Sequence, residues 1–295
     1  MENNSDRMGF ALIALSVVAF VLLAVNGPLK ASADGLFAGF KSWQESTFSQ
    51  ILGGDNTDEK RPNPNDAKWV EKGNYGTNGY FVRDNDGNGI VYALDPQQPV
   101  IAPETAIFTQ SNGNLTSLRF LDKTILPKNS QVYFADNVNL TTFDTKNLDT
   151  SNVTDMGGMF SGLSALTTLD VSNFDTSNVT DMGGMFFAMQ SLTALDVSKF
   201  NTSNVTNMAY IFYDMHALTA LNVSKFDTSN VTNMSGMFSG LWKLTTLDVS
   251  NFNTSNVIDV AYMFADMPVS TRPDTSKFDT SKMTNKDLMF ANMLS

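Results

Sequence analysis

Leu166-Thr167-Thr168-Leu169-Asp170-Val171-Ser172-Asn173-Phe174-Asp175-Thr176-Ser177-Asn178-Val179-Thr180-Asp181-Met182-Gly183-Gly184-Met185-Phe186 decides the fold, because the chain repeats this text in fixed phase. Its leading leucine returns as Leu140, Leu166, Leu192, Leu218 and Leu244, 26 residues apart, and a sixth unit runs from Ser270 to Ser295. The Thr-Ser-Asn-Val segment starts at Thr150, Thr176, Thr202, Thr228 and Thr254, then degenerates to Thr280-Ser281-Lys282-Met283. A phenylalanine closes each unit's methionine stretch, at Phe160, Phe186, Phe212, Phe238, Phe264 and Phe290. One such unit cannot bury its apolar face alone, so successive units must stack.

Within a unit, Leu166, Leu169 and Val171 follow the L-x-x-L-x-L pattern of a leucine-rich-repeat strand and point inward. Met182, Met185, Phe186 and Met189 lie three or four apart, as the buried face of a short helix or turn does. The methionine columns read as pliable core filler beneath the phenylalanines. The expected fold class is an α/β repeat: a leucine-rich-repeat solenoid with short parallel strands and short helices or turns. A small β region and an N-terminal hydrophobic helix precede it. The last unit carries Arg272, Pro273 and Lys286 at positions that are apolar or neutral elsewhere, as a terminal cap requires. The Asn-Val-Thr triplets match a glycosylation acceptor but arise from the repeat, and their asparagines are expected to form a hydrogen-bonded ladder.

The blocks from Leu140 onward closely resemble the BspA-like leucine-rich-repeat surface proteins of bacteria, and Ile125-Leu126-Pro127 to Phe134 resembles the module that caps such arrays. The resemblance implies an extracellular adhesion or binding protein with no enzymatic activity in the repeat. Between the inward leucines, Asp170, Asp196, Asn222 and Asp248 form one outward column, with Ser172, Ser198, Ser224 and Ser250 beside it. These are the candidate ligand-binding residues of a concave sheet face. Like charges stacked ~4.8 Å apart repel one another and favour a cation or a basic partner. His216, in an Asp214-Met215-His216 corner, reads as a surface turn residue.

Upstream of the array, Tyr80-Phe81-Val82 and Ile90 to Leu94 read as strands flanking an Asp/Asn/Gly turn. Asp84, Asp86 and Asn88 alternate as in a calcium loop, with Asp95 at the twelfth position, which makes them candidate Ca²⁺ ligands. The same residue types also build an ordinary hairpin turn. No other cofactor is expected.

Residues 53–68 are polar and rich in Pro and Gly, and are expected to be a flexible linker. Before it, residues 34–52 carry an amphipathic stripe from Leu36 to Leu52. Phe10 to Val25 is an uncharged apolar run within residues 1–33. Three readings stay open for it: a signal peptide cut after Ala33, an uncleaved anchor, or a leader cut after Gly9. In the last case Gly9-Phe10 and the following apolar residues resemble a type IV prepilin junction, although Ala14 stands where those subunits carry a glutamate. The expected organisation continues with a small β-rich region at 69–115, a solenoid cap at 116–139 and six repeats at 140–295.

Composition narrows the function. With 19 basic against 30 acidic residues the chain carries −11, the wrong sign for a nucleic-acid partner. No cysteine and a single histidine leave no disulfide, thiolate or imidazole constellation. Its carboxylates recur in exposed rows, whereas acid–base catalysis needs two groups in contrasting environments. The expected function is therefore a surface-displayed binding or adhesion protein. It would contact a protein or glycan on a host or neighbouring cell and reach the membrane through its N-terminal helix, or be secreted. The alternative is a pilin-like minor or tip subunit of a surface filament.

Overall fold

The computed structural model describes residues 61–108 and 115–294; the apolar, amphipathic and early linker segments lie outside them. Eight strands follow in order: β1 (Trp69–Tyr75), β2 (Gly79–Asp84), β3 (Asn88–Ala93), β4 (Val100–Ile101), β5 (Ser117–Phe120), β6 (Thr124–Ile125), β7 (Thr142–Asp144) and β8 (Leu148–Asp149). β1, β2 and β3 form an antiparallel meander in a register that sets Phe81 against Val91 and Val82 against Ile90. This places both expected upstream strands. β3 then pairs in parallel with β5, and β5 with β7, so the meander and the first repeat share one sheet. A second parallel sheet runs β4-β6-β8. One apolar cluster extends from Tyr75 in β1 to Met283 in the last repeat. By pairing with β5 ahead of the first coil, the meander keeps the parallel edge from standing open at that end.

Arg61 lies in the stretch read from composition as linker, yet it is fixed. It donates to both carboxylate oxygens of Asp122, at 2.8 and 2.6 Å, and to the Ala93 carbonyl, while Asp122 accepts the Ala93 N–H. Trp69 extends the anchorage by donating its indole N–H to the Asn63 carbonyl. Mean polarity hid these specific partners.

From Leu140 each 26-residue unit makes one coil stacked on the next. Leu166, Leu169, Val171, Phe174 and Val179 are all buried, as are their equivalents in the neighbouring coils. Phe134, Phe160, Phe186, Phe212, Phe238, Phe264 and Phe290 overlie one another with centroids 5.3–5.9 Å apart. At the far end the Arg272 guanidinium covers Phe290 at 4.2 Å.

The Thr-Ser-Asn-Val segment is the stitching between coils. Thr176 is 2% exposed; its hydroxyl donates to the Asn201 carbonyl at 3.0 Å and accepts the Asn201 N–H at 2.8 Å, both on the next coil. Asn178 reaches the other way and donates to the Ser151 carbonyl at 2.8 Å. Asn204, Asn230 and Asn256 repeat that bond at 2.7 Å. The asparagine ladder therefore runs through backbone carbonyls rather than from amide to amide.

The structure settles one open alternative in favour of turns and corrects one secondary-structure expectation. The methionine–phenylalanine stretch is not helical; the described residues contain no α-helix. Gly184 and Ala188 both have positive φ, and so do Gly158 and Gly162 one coil earlier. A left-handed residue at every fourth position breaks an α-helix. Alternate N–H groups consequently donate sideways: Gly184 to the Ala209 carbonyl at 2.7 Å, Phe186 to Ile211 at 3.0 Å, Ala188 to Tyr213 at 2.8 Å. The groups between them close four-residue β-turns, such as Phe187 N–H to the Gly184 carbonyl. Spacings of three and four still bury Met182, Met185, Phe186 and Met189, because each turn spans that many residues.

Nor do the leucine segments form strands in every coil. β5–β8 belong to the cap and first coil, and later coils keep single contacts such as Thr219 N–H to the Thr193 carbonyl at 3.3 Å. The aspartate that follows turns the chain before a ladder can extend.

Candidate functional site

The turn face carries the chain's departures from its own repeat. Equivalent positions one coil apart read Ser161, Phe187, Tyr213, Ser239; a second column reads Val132, Gly158, Gly184, Tyr210, Gly236, Tyr262; a third reads Gln190, His216, Trp242. Bulky residues in the second column lean onto the glycine of the next coil. A Cβ on Gly158 would lie 2.9 Å from Val132 Cγ1, and one on Gly236 would lie 2.5 Å from the Tyr210 ring. Those glycines make room for their neighbours.

The outcome is a run of exposed aromatics. Phe187 and Tyr213 stack at 5.0 Å, with Tyr210 edge-on to Tyr213 at 5.6 Å. Burial raises the Tyr213 phenol above its ordinary pKa, with Asp214 adding to the effect. His216 stacks on Trp242 at 3.6 Å and is tied to Asp214 at 2.7 Å. Trp242 and Tyr262 are 50% and 43% exposed. Beside Phe187 a groove of about 450 Å³ opens over Gly157, Gly158, Gly183 and Gly184, with Gln131 and Val132 at one end and Ala209 and Tyr210 at the other. Asp181 and Asn207 also line it. Asp181 accepts the Gly183 N–H at 2.7 Å and the Asn207 amide at 3.1 and 3.0 Å.

The residues singled out from sequence are elsewhere. Asp170, Asp196, Asn222 and Asp248 form an exposed column, but each folds back to accept a backbone N–H, from Ser172, Ser198, Ser224 and Ser250 at 2.9–3.0 Å. The backbone N–H of Ser172, with the serine hydroxyl, holds Asp170 below the usual carboxylate range. For Asp196 the Ser198 hydroxyl leads, with its N–H second; for Asp248 the order is that of Asp170. The acids thus serve as turn formers at the end of each leucine segment, not as strand residues of a continuous sheet.

Asp84, Asp86 and Asn88 share the β2–β3 turn, where Asp84 accepts the Asp86 and Asn88 N–H groups and the Asn88 amide. Those bonds depress its pKa against a desolvation effect of opposite sign. Asp95 stands past the other end of β3, beside Asn78, and accepts the Gln97 N–H. The structure does not bring it to the other three. Among the described residues no group of three or more His, Cys, Asp or Glu is arranged to hold a metal, and no helix is long and apolar enough to cross a membrane.

A family model described as "Mycoplasma protein of unknown function, DUF285" matches residues 128–222 and again 215–295. The chain belongs to this family. The DUF285 match covers the coils together with the last part of the cap. Among curated proteins nothing matches. A crystal structure of a leucine rich cell surface protein from Faecalibacterium prausnitzii A2-165 is similar over 74% of this chain and 76% of its own, at 13% identity and a TM-score of 0.31.

Reading the repeat for its regularities hid the aromatic row. The available signal was irregularity: Phe187 and Tyr213 stand where sister coils carry Ser or Ala, and Trp242 where others carry Ser164, Gln190 or Pro268.

Proposed function

We propose that this DUF285 protein is a surface-displayed binding protein. Its coils form a leucine-rich-repeat solenoid outside the cell that contacts a protein or glycan on a host or neighbouring cell, without catalysis. The apolar segment Phe10–Val25 would deliver it there, as anchor or as leader.

The observation that carries the reading is the exposed aromatic row from Phe187 to Tyr262 on a rigidly stacked core. Aromatic side chains in water are an unfavourable surface unless something covers them, and Tyr and Trp are the residue types that anchor binding interfaces. Held by stacked coils, they lose little freedom when a partner arrives.

The test is adhesion of protein-coated beads to candidate cells. Full-length protein is compared with a variant in which Phe187, Tyr210, Tyr213, Trp242 and Tyr262 are replaced by Ser. The proposal expects binding that the variant loses while keeping its circular dichroism spectrum. Equal adhesion by both proteins would refute it.

A further inference from the structure

We infer that the groove over the first coils binds a neutral pyranose sugar of a glycan. This gives the ligand class for the surface-binding reading above and rests on it.

The groove exists because two successive coils lack side chains where their neighbours have them. The column that reads Gln131, Gly157, Gly183, Ala209 and the column that reads Val132, Gly158, Gly184, Tyr210 both dip to glycine together. The resulting hollow of about 450 Å³ is within the ~300–1,000 Å³ of small-ligand sites. Its wall is an aromatic platform. Phe187 has one face against Tyr213, and the equivalent residue on the preceding coil is Ser161, too small to cover the other face. Phe187 is 36% exposed accordingly. A pyranose presents an apolar C–H face to such a ring and hydroxyls at its edge.

The rim supplies partners for those hydroxyls. Asp181 is held in place by the Gly183 N–H and the Asn207 amide. An ionised carboxylate has about four acceptor sites, so capacity remains. Gln131 and Ser161 add neutral donors and acceptors on the other side.

Charge selects among sugars. No Lys or Arg lines the groove. Asp155 and Asp181 both flank Gly157, their Oδ1 atoms 3.1 and 3.6 Å from where its Cβ would be. Sialylated or sulfated glycans would meet uncompensated repulsion.

A peptide strand is disfavoured by the floor itself. Gly158 N–H is taken by the Gly183 carbonyl at 2.8 Å, and Gly184 N–H by Ala209 at 2.7 Å. No main-chain ladder is left for strand addition.

The test uses full-length protein on an array of neutral oligosaccharides of glucose, galactose, mannose and N-acetylglucosamine, printed beside sialylated and sulfated counterparts. Calorimetry follows with the strongest neutral probe. Phe187→Ala borrows the residue of Ala135 and Ala265 in its column, and Gly157→Gln borrows that of Gln131, so both sit in precedented backbone. Both are expected to weaken binding by about tenfold or more, while Lys199→Ala, exposed and outside both the groove and the aromatic row, leaves it unchanged. No neutral binding, a preference for anionic glycans, or indifference to both groove variants would overturn the inference. So would a peptide ligand whose capture is lost in Gly157→Gln. Adhesion to cells that is insensitive to the groove variants would sink the sugar site while sparing the surface-binding reading. A neutral sugar bound at the groove with no adhesion to any cell would do the reverse.

Discussion

Replacing Thr176 by valine isolates the stitching between coils. Valine matches threonine in shape, so no cavity opens, yet both hydrogen bonds of the buried hydroxyl to Asn201 are lost. Val for Thr is not a neutral swap in a core for this reason. Each orphaned backbone group costs roughly 1–3 kcal/mol when sealed from water. Asn201 itself is exposed, so water reaches one side of its peptide and the low end applies. The expected loss is about 2 kcal/mol in total, which in a folded unit of this size lowers Tm by about 4–8 °C. Thr176→Ser keeps both bonds and sheds one methyl, a loss of about 1 kcal/mol. Thermal unfolding followed by circular dichroism should therefore rank wild type above T176S and T176S above T176V. If T176V melts with wild type, or T176S melts below T176V, the hydroxyl is not acting as a stand-in for a backbone peptide and the argument fails.

Phe186→Ala removes a fully buried ring stacked on both sides at 5.9 Å, and should cost about 3–5 kcal/mol by urea denaturation. Its effect should exceed that of Phe290→Ala, since Phe290 is only half-buried at the end of the ladder. Ala188 has φ 56° where sister coils use Gly162 and Gly240, so Ala188→Gly should stabilise by about 0.5–1 kcal/mol, read as a rise in Tm. A fall in Tm would mean that strain is not what distinguishes that coil. Asp170, Asp175 and Asp227 have pKa values lowered by serine N–H and hydroxyl groups, so the folded state binds protons less readily than the unfolded chain. Their contribution is complete above the ordinary aspartate value of about 3.9 and disappears as pH falls through the lowered folded values. Stability should thus be flat from neutrality down to that region and then decline; a decline that begins well above it would contradict the assignment.

The 26-residue period, the inward leucines and the buried methionine and phenylalanine columns are all legible in the sequence. Burial of an apolar side chain is dictated by spacing, and a sixfold repeat states the spacing six times. The strands of the β2–β3 hairpin were legible for the same reason: alternation and an Asp/Asn/Gly turn are local signals. What the methionine segment does with its backbone was not local. A spacing of three and four suits a helix or a stack of turns equally, and the choice fell to N–H groups that find carbonyls 25 residues away. The aspartate column shows the same limit. The sequence reveals that Asp170, Asp196 and Asp248 align, but not that each spends its oxygen on the serine two residues on.

The groove depended most on tertiary structure. Gly157, Gly158, Gly183 and Gly184 are unremarked small residues until adjacent coils bring them together and set Phe187 above them. Sequence by itself determined that this chain must stack, because each unit's apolar face needs the next one. The stack alone decided what its surface offers, since a hollow, an uncovered ring and a held carboxylate arise between residues that only neighbouring coils make neighbours.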